Sequence, residues 1–233
     1  MWENGIPTQA YSYNAANQVS GWNYDAAGNL LSDGTTTSTW DALSRTLTHA
    51  GASYAYNGDG VLVALDDGSL TRYVQDLASP LPVILDDGAA QYVSGHERLF
   101  GDDGSARAWY LGDALGSVRM TLDDAGVPLQ AAAYDPWGAP QSTTIAPFGF
   151  TGELQQGGDV YLRARWYQPQ AAMFTSRDPF SGWSQQPDSL HPYAYVGNNP
   201  VNRFDPTGKW WWGPGQALFD NSTQRFQNQN IHV

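Results

Sequence analysis

Cysteine is absent from all 233 residues, which excludes disulfide staples and thiolate metal sites and is compatible with either redox compartment. Positive charge is scarce: 11 Lys and Arg stand against 23 Asp and Glu, a formal net charge of −12. A chain of that sign repels phosphate backbones and anionic lipid, so neither nucleic acid nor a membrane surface is expected as a partner. Long apolar runs are missing as well. No stretch approaches the ~20 residues that cross a bilayer, so no membrane span is expected. The opening Met1-Trp2-Glu3-Asn4-Gly5-Ile6-Pro7 lacks the basic head and apolar body of a signal peptide, which fits export by another route or a piece of a longer protein. His49, His96, His191 and His232 are scattered, with no His-x-x-x-His pair, and no Gly-x-Ser-x-Gly elbow presents a serine. No metal and no cofactor is expected.

Turn formers and aromatics are abundant instead. The 25 Gly and 14 Pro interrupt every apolar run, and 13% of residues are aromatic, which favours many short strands over long helices. An aromatic residue recurs with Asp or Asn beside it and a turn former four places on: Tyr13 with Asn17, Tyr24 with Gly28, Trp40 with Ser44, Tyr56 with Gly60. The spacing suits short strands joined by turns, each unit a hairpin, with the aromatic packing inward and the Asx side chain accepting turn amides. Asp66-Asp67-Gly68, Asp86-Asp87-Gly88, Asp102-Asp103-Gly104 and Asp123-Asp124-Ala125-Gly126 read as further hairpin tips, and Leu70–Val74 and Leu81–Leu85 as strands between them. The Asp pairs lack the distal carboxylate that a calcium loop closes with, so turn chemistry outweighs a calcium site. The fold class expected is all-β, a series of consecutive hairpins.

Two Asp-Pro pairs, Asp178-Pro179 and Asp205-Pro206, each followed closely by Gly, admit two readings. Asp-Pro-x-Gly is a turn sequence in which Asp bonds the turn amides and Gly closes it. The same acids brought together form a carboxylate pair that cannot ionise twice, so one polarises a carbonyl while the other activates water. Spacing leaves Glu153, Asp159 and Asp188 open as alternative partners.

The chain resembles the RHS and YD-repeat proteins, including shell components of Tc toxins. The resemblance rests on Tyr24-Asp25-Ala26-Ala27-Gly28-Asn29-Leu30, the run Tyr110–Arg119, Tyr134-Asp135-Pro136-Trp137-Gly138, Phe148-Gly149-Phe150-Thr151-Gly152, Tyr161–Tyr167, Ser176–Pro179 and Asn198–Asn202, in the family's order and spanning about residues 10 to 212. It implies a curved β-sheet shell of YD repeats over 1–133, an RHS core plug over 134–209 and a flexible tail or truncated toxin tip over 210–233. It further implies an aspartic autoprotease, with Asp178 and Asp205 as the pair, Arg177 as the adjacent positioning cation, and a cut near Gly208, Lys209 and Trp210. Lys209 stands where the family usually has Leu, and Gln168 where it commonly has Asp.

The partners so implied are a C-terminal toxin cargo and the rest of the shell, and the location is secreted or cell-surface. A competing reading from another class is a glycan-binding or adhesion module, in which Trp and Tyr stack on the sugars of a cell surface. An exposed concave row formed by Tyr13, Tyr24, Trp40 and Tyr56 distinguishes it.

Overall fold

The computed structural model describes residues 10–211 apart from 80, 96, 144, 146, 183, 186 and 210, together with the strand residues 2–3 and 6–7. Two short hairpins come first, β1 (Trp2–Glu3) with β2 (Ile6–Pro7) and β3 (Asn23–Tyr24) with β4 (Leu30–Ser32). A five-stranded sheet follows from β5 (Ser38–Trp40), β6 (Thr46–His49), β7 (Ala52–Tyr56), β8 (Leu62–Asp66) and β9 (Leu70–Arg72). A seven-stranded sheet contains β10 (Val74–Asp76), β11 (Val83–Asp86), β12 (Gln91–Ser94), β13 (Arg98–Asp102), β14 (Arg107–Gly112), β15 (Val118–Leu122) and β16 (Pro128–Ala131). The last sheet is β17 (Gln155–Gln156), β18 (Asp159–Leu162), β19 (Arg165–Gln168) and β20 (Met173–Phe174).

In every sheet, spatial order equals chain order and all pairings are antiparallel. The fold is all-β and built from consecutive hairpins, because each strand is short enough for the next turn to return it to its neighbour. The turns use the chemistry expected of them. Asn14, Asp25, Asp41, Asn57, Asp113, Asp123 and Asp135 each accept, through Oδ1, the amides two and four places on. Asp66, Asp86 and Asp102 accept the amide of the Gly two places on, so these carboxylates are occupied with backbone at hairpin tips.

Two strand expectations need correction. Leu70–Val74 is not one strand: it breaks at Tyr73, where the chain leaves the five-stranded sheet for the seven-stranded one, and the Tyr73 ring packs against the core. Leu81–Leu85 begins late, at Val83, because Pro82 has no N–H for a ladder.

The two larger sheets share one core with the residues after them. Tyr54, Leu62 and Leu65 from the first, Ile84, Tyr92 and Val118 from the second, and Phe148, Leu154, Tyr161 and Trp166 form a single buried cluster. Tyr54 meets Trp166 and Tyr92 meets Phe148 with ring centroids 4.9 Å apart. Burying each such side chain is worth roughly 1.5–3 kcal/mol, so the inner faces of both sheets are tied to the hairpin β18–β19. A second cluster, containing Phe150, Leu162, Tyr167, Phe174 and Tyr195, lies within the C-terminal part, with Tyr167 stacked on Tyr195 at 4.0 Å.

Tyr24, Trp40 and Tyr56 are half-buried and only Tyr13 is exposed, so the four do not form an open row. Tyr56 packs on the first cluster, Tyr24 beside Val19 and Tyr193, and Trp40 donates its indole N–H to the Leu30 carbonyl.

Candidate functional site

The hairpin β18–β19 presents Arg165 just after its tip. Leu162 pairs with Arg165, Arg163 adopts a left-handed φ of 60°, and the amide of Ala164 reaches the Thr207 carbonyl at 3.2 Å. The tip is thereby covered by the turn Asp205-Pro206-Thr207-Gly208. That turn follows the repeat pattern: Asp205 Oδ1 accepts the amides of Thr207 at 3.1 Å and Lys209 at 3.3 Å, and Gly208 has φ of 67°. A Cβ at 208 would collide with the Leu162 carbonyl oxygen and come within 2.9 Å of the Arg165 nitrogen, so only glycine seats the turn here.

Asp178 arrives from the opposite side. Its amide bonds the Pro192 carbonyl at 2.9 Å, which holds the segment after β20 alongside residues 192–194. Its Oδ1 accepts the amide of Phe180, leaving Oδ2 2.7 Å from Arg165 Nη2. Asp205 Oδ2 lies 3.8 Å from the same Nη2. One guanidinium thus lies against both carboxylates. Its Nε donates to the Gly208 carbonyl, its Nη1 to the Pro192 carbonyl at 3.2 Å, and Phe174 covers its face at 3.6 Å.

Burial sets the electrostatics. Arg165 and Asp205 are each about 3% exposed in their side chains. Burial pushes the Asp178 carboxyl above its usual range, with Arg165 opposing, and burial draws Arg165 below its ordinary value, with both acids opposing. The group opens on a cavity of about 770 Å³ whose wall also includes Arg45, Arg163, Arg177 and Lys209.

Of the residues singled out from sequence, Asp178, Asp205 and the Gly208–Lys209 peptide meet at this point; Trp210 lies outside the described residues. Arg177 does not lie between the acids. It is exposed, packs along Gly28, and makes no ion pair among the described residues, because its neighbour in the chain, not its own side chain, turns inward. Arg165 takes that place. Its signal in sequence was the pair Arg163 and Arg165 inside the otherwise apolar run Val160–Tyr167, positions that demand anionic partners. Glu153 is engaged elsewhere, 2.7 Å from Arg163.

Asp159 is also engaged elsewhere. Its Oδ2 lies 3.0 Å from His49 Nε2, and His49 Nδ1 lies 2.8 Å from Ser38 Oγ, all three residues buried. The trio has the residue types of a hydrolase triad, yet its serine is sealed in the β5–β6 pairing opposite His49. It ties the five-stranded sheet to β18.

No family model matches the chain. Over 241 residues it is 31% identical to the tRNA3(Ser)-specific nuclease WapA of Bacillus spizizenii, a match covering 90% of this chain and 10% of that protein. It is 35% identical over 111 residues to toxin protein Tse5 of Pseudomonas aeruginosa, covering 45% of this chain and 8% of the toxin. Its relatives are RHS-type toxins. In fold it resembles the TcdB2-TccC3-Cdc42 crystal structure, with a TM-score of 0.61 and 21% identity over 80% of this chain and 11% of that one. The chain therefore spans about a tenth of the length of the relatives it matches, and the nuclease activity in the WapA name is that of the whole relative.

Proposed function

We propose that this chain is a segment of an RHS toxin shell that encloses a C-terminal toxin and frees it by aspartic self-cleavage. In this reading, residues 1–133 form shell, 134–209 form the plug and 210–233 are a tail or truncated toxin tip. The observation that carries the cleavage is the Arg165 guanidinium, which touches Asp178, Asp205 and the Gly208 carbonyl together.

The chemistry follows from those contacts. Arg165 draws charge from the Gly208 carbonyl, as an oxyanion donor does in acyl transfer. Water adds to that carbon, and its proton passes to one carboxylate of the pair. The C–N bond to Lys209 then breaks, and its nitrogen takes a proton from the other. Asp205 Oδ1 accepts the Lys209 N–H at 3.3 Å as well as the Thr207 donors, which favours its ionised form, while burial favours the protonated form of Asp178, so Asp205 is the base for the water and Asp178 the acid for the leaving amine. Trp211 packs on the second core cluster beneath Arg203, at 5.4 Å, which anchors the chain on the far side of the bond. The comparisons support a toxin-related segment, delivered or secreted, and leave a glycan partner without support.

Intact mass of the freshly purified chain tests the proposal. The parent is expected to separate into 1–208 and 209–233, while Asp178→Asn and Asp205→Asn remain whole. A parent that stays full length at neutral and mildly acidic pH removes the cleavage and leaves a plug whose acids build turns.

A further inference from the structure

Three successive residues at the tip of β18–β19 hold the three successive carbonyls that precede Lys209. Arg163 Nη1 donates to the Pro206 carbonyl, the Ala164 amide to the Thr207 carbonyl at 3.2 Å, and Arg165 Nε to the Gly208 carbonyl. Arg163 is the member that the cleavage chemistry does not use. Its ion pair is with Glu153, at 2.7 Å, and its Nε donates to the Pro82 carbonyl at 3.3 Å, one residue ahead of β11.

That guanidinium is fixed from both ends. Its backbone takes the left-handed φ of 60° in a two-residue tip, which the Ala164 amide closes on the Leu162 carbonyl at 2.7 Å. Glu153, at the other end, belongs to a turn held by its own backbone, its amide bonded to the Phe150 carbonyl at 3.2 Å and its carbonyl to the Gly149 amide at 3.1 Å. A guanidinium is a planar fork whose donors point in set directions. With Glu153 and Pro82 occupying two of those directions, Nη1 offers the Pro206 carbonyl one place. Pro206 has no N–H, so its carbonyl is the backbone group by which it is gripped. Pro206 and Gly208 are buried in this grip, whereas Lys209 is exposed.

We propose that Arg163, aimed by Glu153, is a positioning residue for self-cleavage, fixing the register of residues 206–208 so that the Gly208 carbonyl alone meets Arg165 and the two acids. The inference rests on the cleavage reading above and adds to it what selects the bond. Attack needs the reacting atoms about 3–3.5 Å apart, and a displacement of about 1 Å costs about 100-fold in rate. Without the Arg163 contact, the turn is held to the tip at Thr207 and Gly208 alone, and it slides against the acids.

Intact mass followed over time, with urea midpoints measured beside it, tests this. Arg163→Met is expected to cleave about 100-fold more slowly than the parent and to spread the cut over the bonds adjoining 208–209. Arg163→Lys, whose ammonium offers one donor to the Pro206 carbonyl, is expected to restore the single cut and part of the rate. A residue that only supported the fold would lower the midpoint and slow the cut without moving it. Should Arg163→Met fail to fold, Glu153→Gln keeps the arginine and removes the charge that aims it, with a slower and scattered cut expected to a smaller degree. Cleavage of Arg163→Met, or in its place Glu153→Gln, at the 208–209 bond alone overturns the positioning role and leaves the acid pair standing. If Arg163→Met folds but does not cleave, an Arg163→Lys variant equally inert overturns it too. A parent that never cleaves overturns the cleavage reading and this inference with it.

Discussion

The turns at Asp123 and Asp205 share one design and differ in everything around it. In both, Oδ1 accepts the amides two and four places on, and a glycine three places on has a left-handed φ. Gly126 in the first has nothing within 4 Å of where a Cβ would be, whereas Gly208 in the second is pressed on the tip of β18–β19. Beside the first turn, Asp124 pairs with Arg107 in the open; in the second, Asp205 Oδ2 lies against a sealed guanidinium that also holds Asp178. The comparison teaches that a turn needs only one carboxylate oxygen. Packing then decides whether the other meets water or a buried cation, and Asp178 and Asp205 are at once turn residues and neighbours across one guanidinium.

The largest effect expected is from Arg165→Met, which leaves two buried carboxylates without their cation and is expected to cost about 3–5 kcal/mol in denaturant unfolding. Arg107→Met, at the open pair, is expected to leave the midpoint where it is; equal losses from the two would erase the distinction drawn between the regions. Next comes glycine. Gly208→Ala combines a left-handed backbone with overpacking and is expected to lose about 3 kcal/mol, against about 1 kcal/mol for Gly126→Ala, where only the backbone term applies. Urea midpoints of the two variants, measured side by side, give the ratio.

The smallest effect expected is on pH dependence, and it concerns the tie between sheet and core. His49 is raised by its hydrogen bond and charge interaction with Asp159, against an opposing burial, and Asp159 is raised chiefly by burial. Asp33 is the other charge acting on both, and Tyr54 faces Asp159. The folded state therefore binds more protons than the unfolded chain. For His49 the stability is full below its ordinary value and is lost as pH rises through its raised one; Asp159 contributes in the same direction from lower pH. Unfolding free energy is expected to fall as pH rises above the ordinary histidine value of about 6.5, and His49→Gln to flatten that slope, while a slope unchanged by the variant would assign it to other groups.

The hairpins were legible because turn chemistry is local: Asp, Asn and Gly act on amides within four residues, and those distances are set by the chain itself. Asp178 and Asp205 could be named only because the chain resembles a family, since their spacing allowed several acids. Arg165 and the link from His49 to Asp159 escaped notice because their partners lie far off in the chain, and no local pattern pairs a residue on β6 with one on β18.

What the amino-acid sequence determined alone is the meander, through short apolar runs cut by Asx-Gly turns whose energy depends on near neighbours. What only the tertiary structure decided is which carboxylates leave water and which arginine they share. Desolvation and Coulomb attraction depend on distance through space, and folding sets that distance.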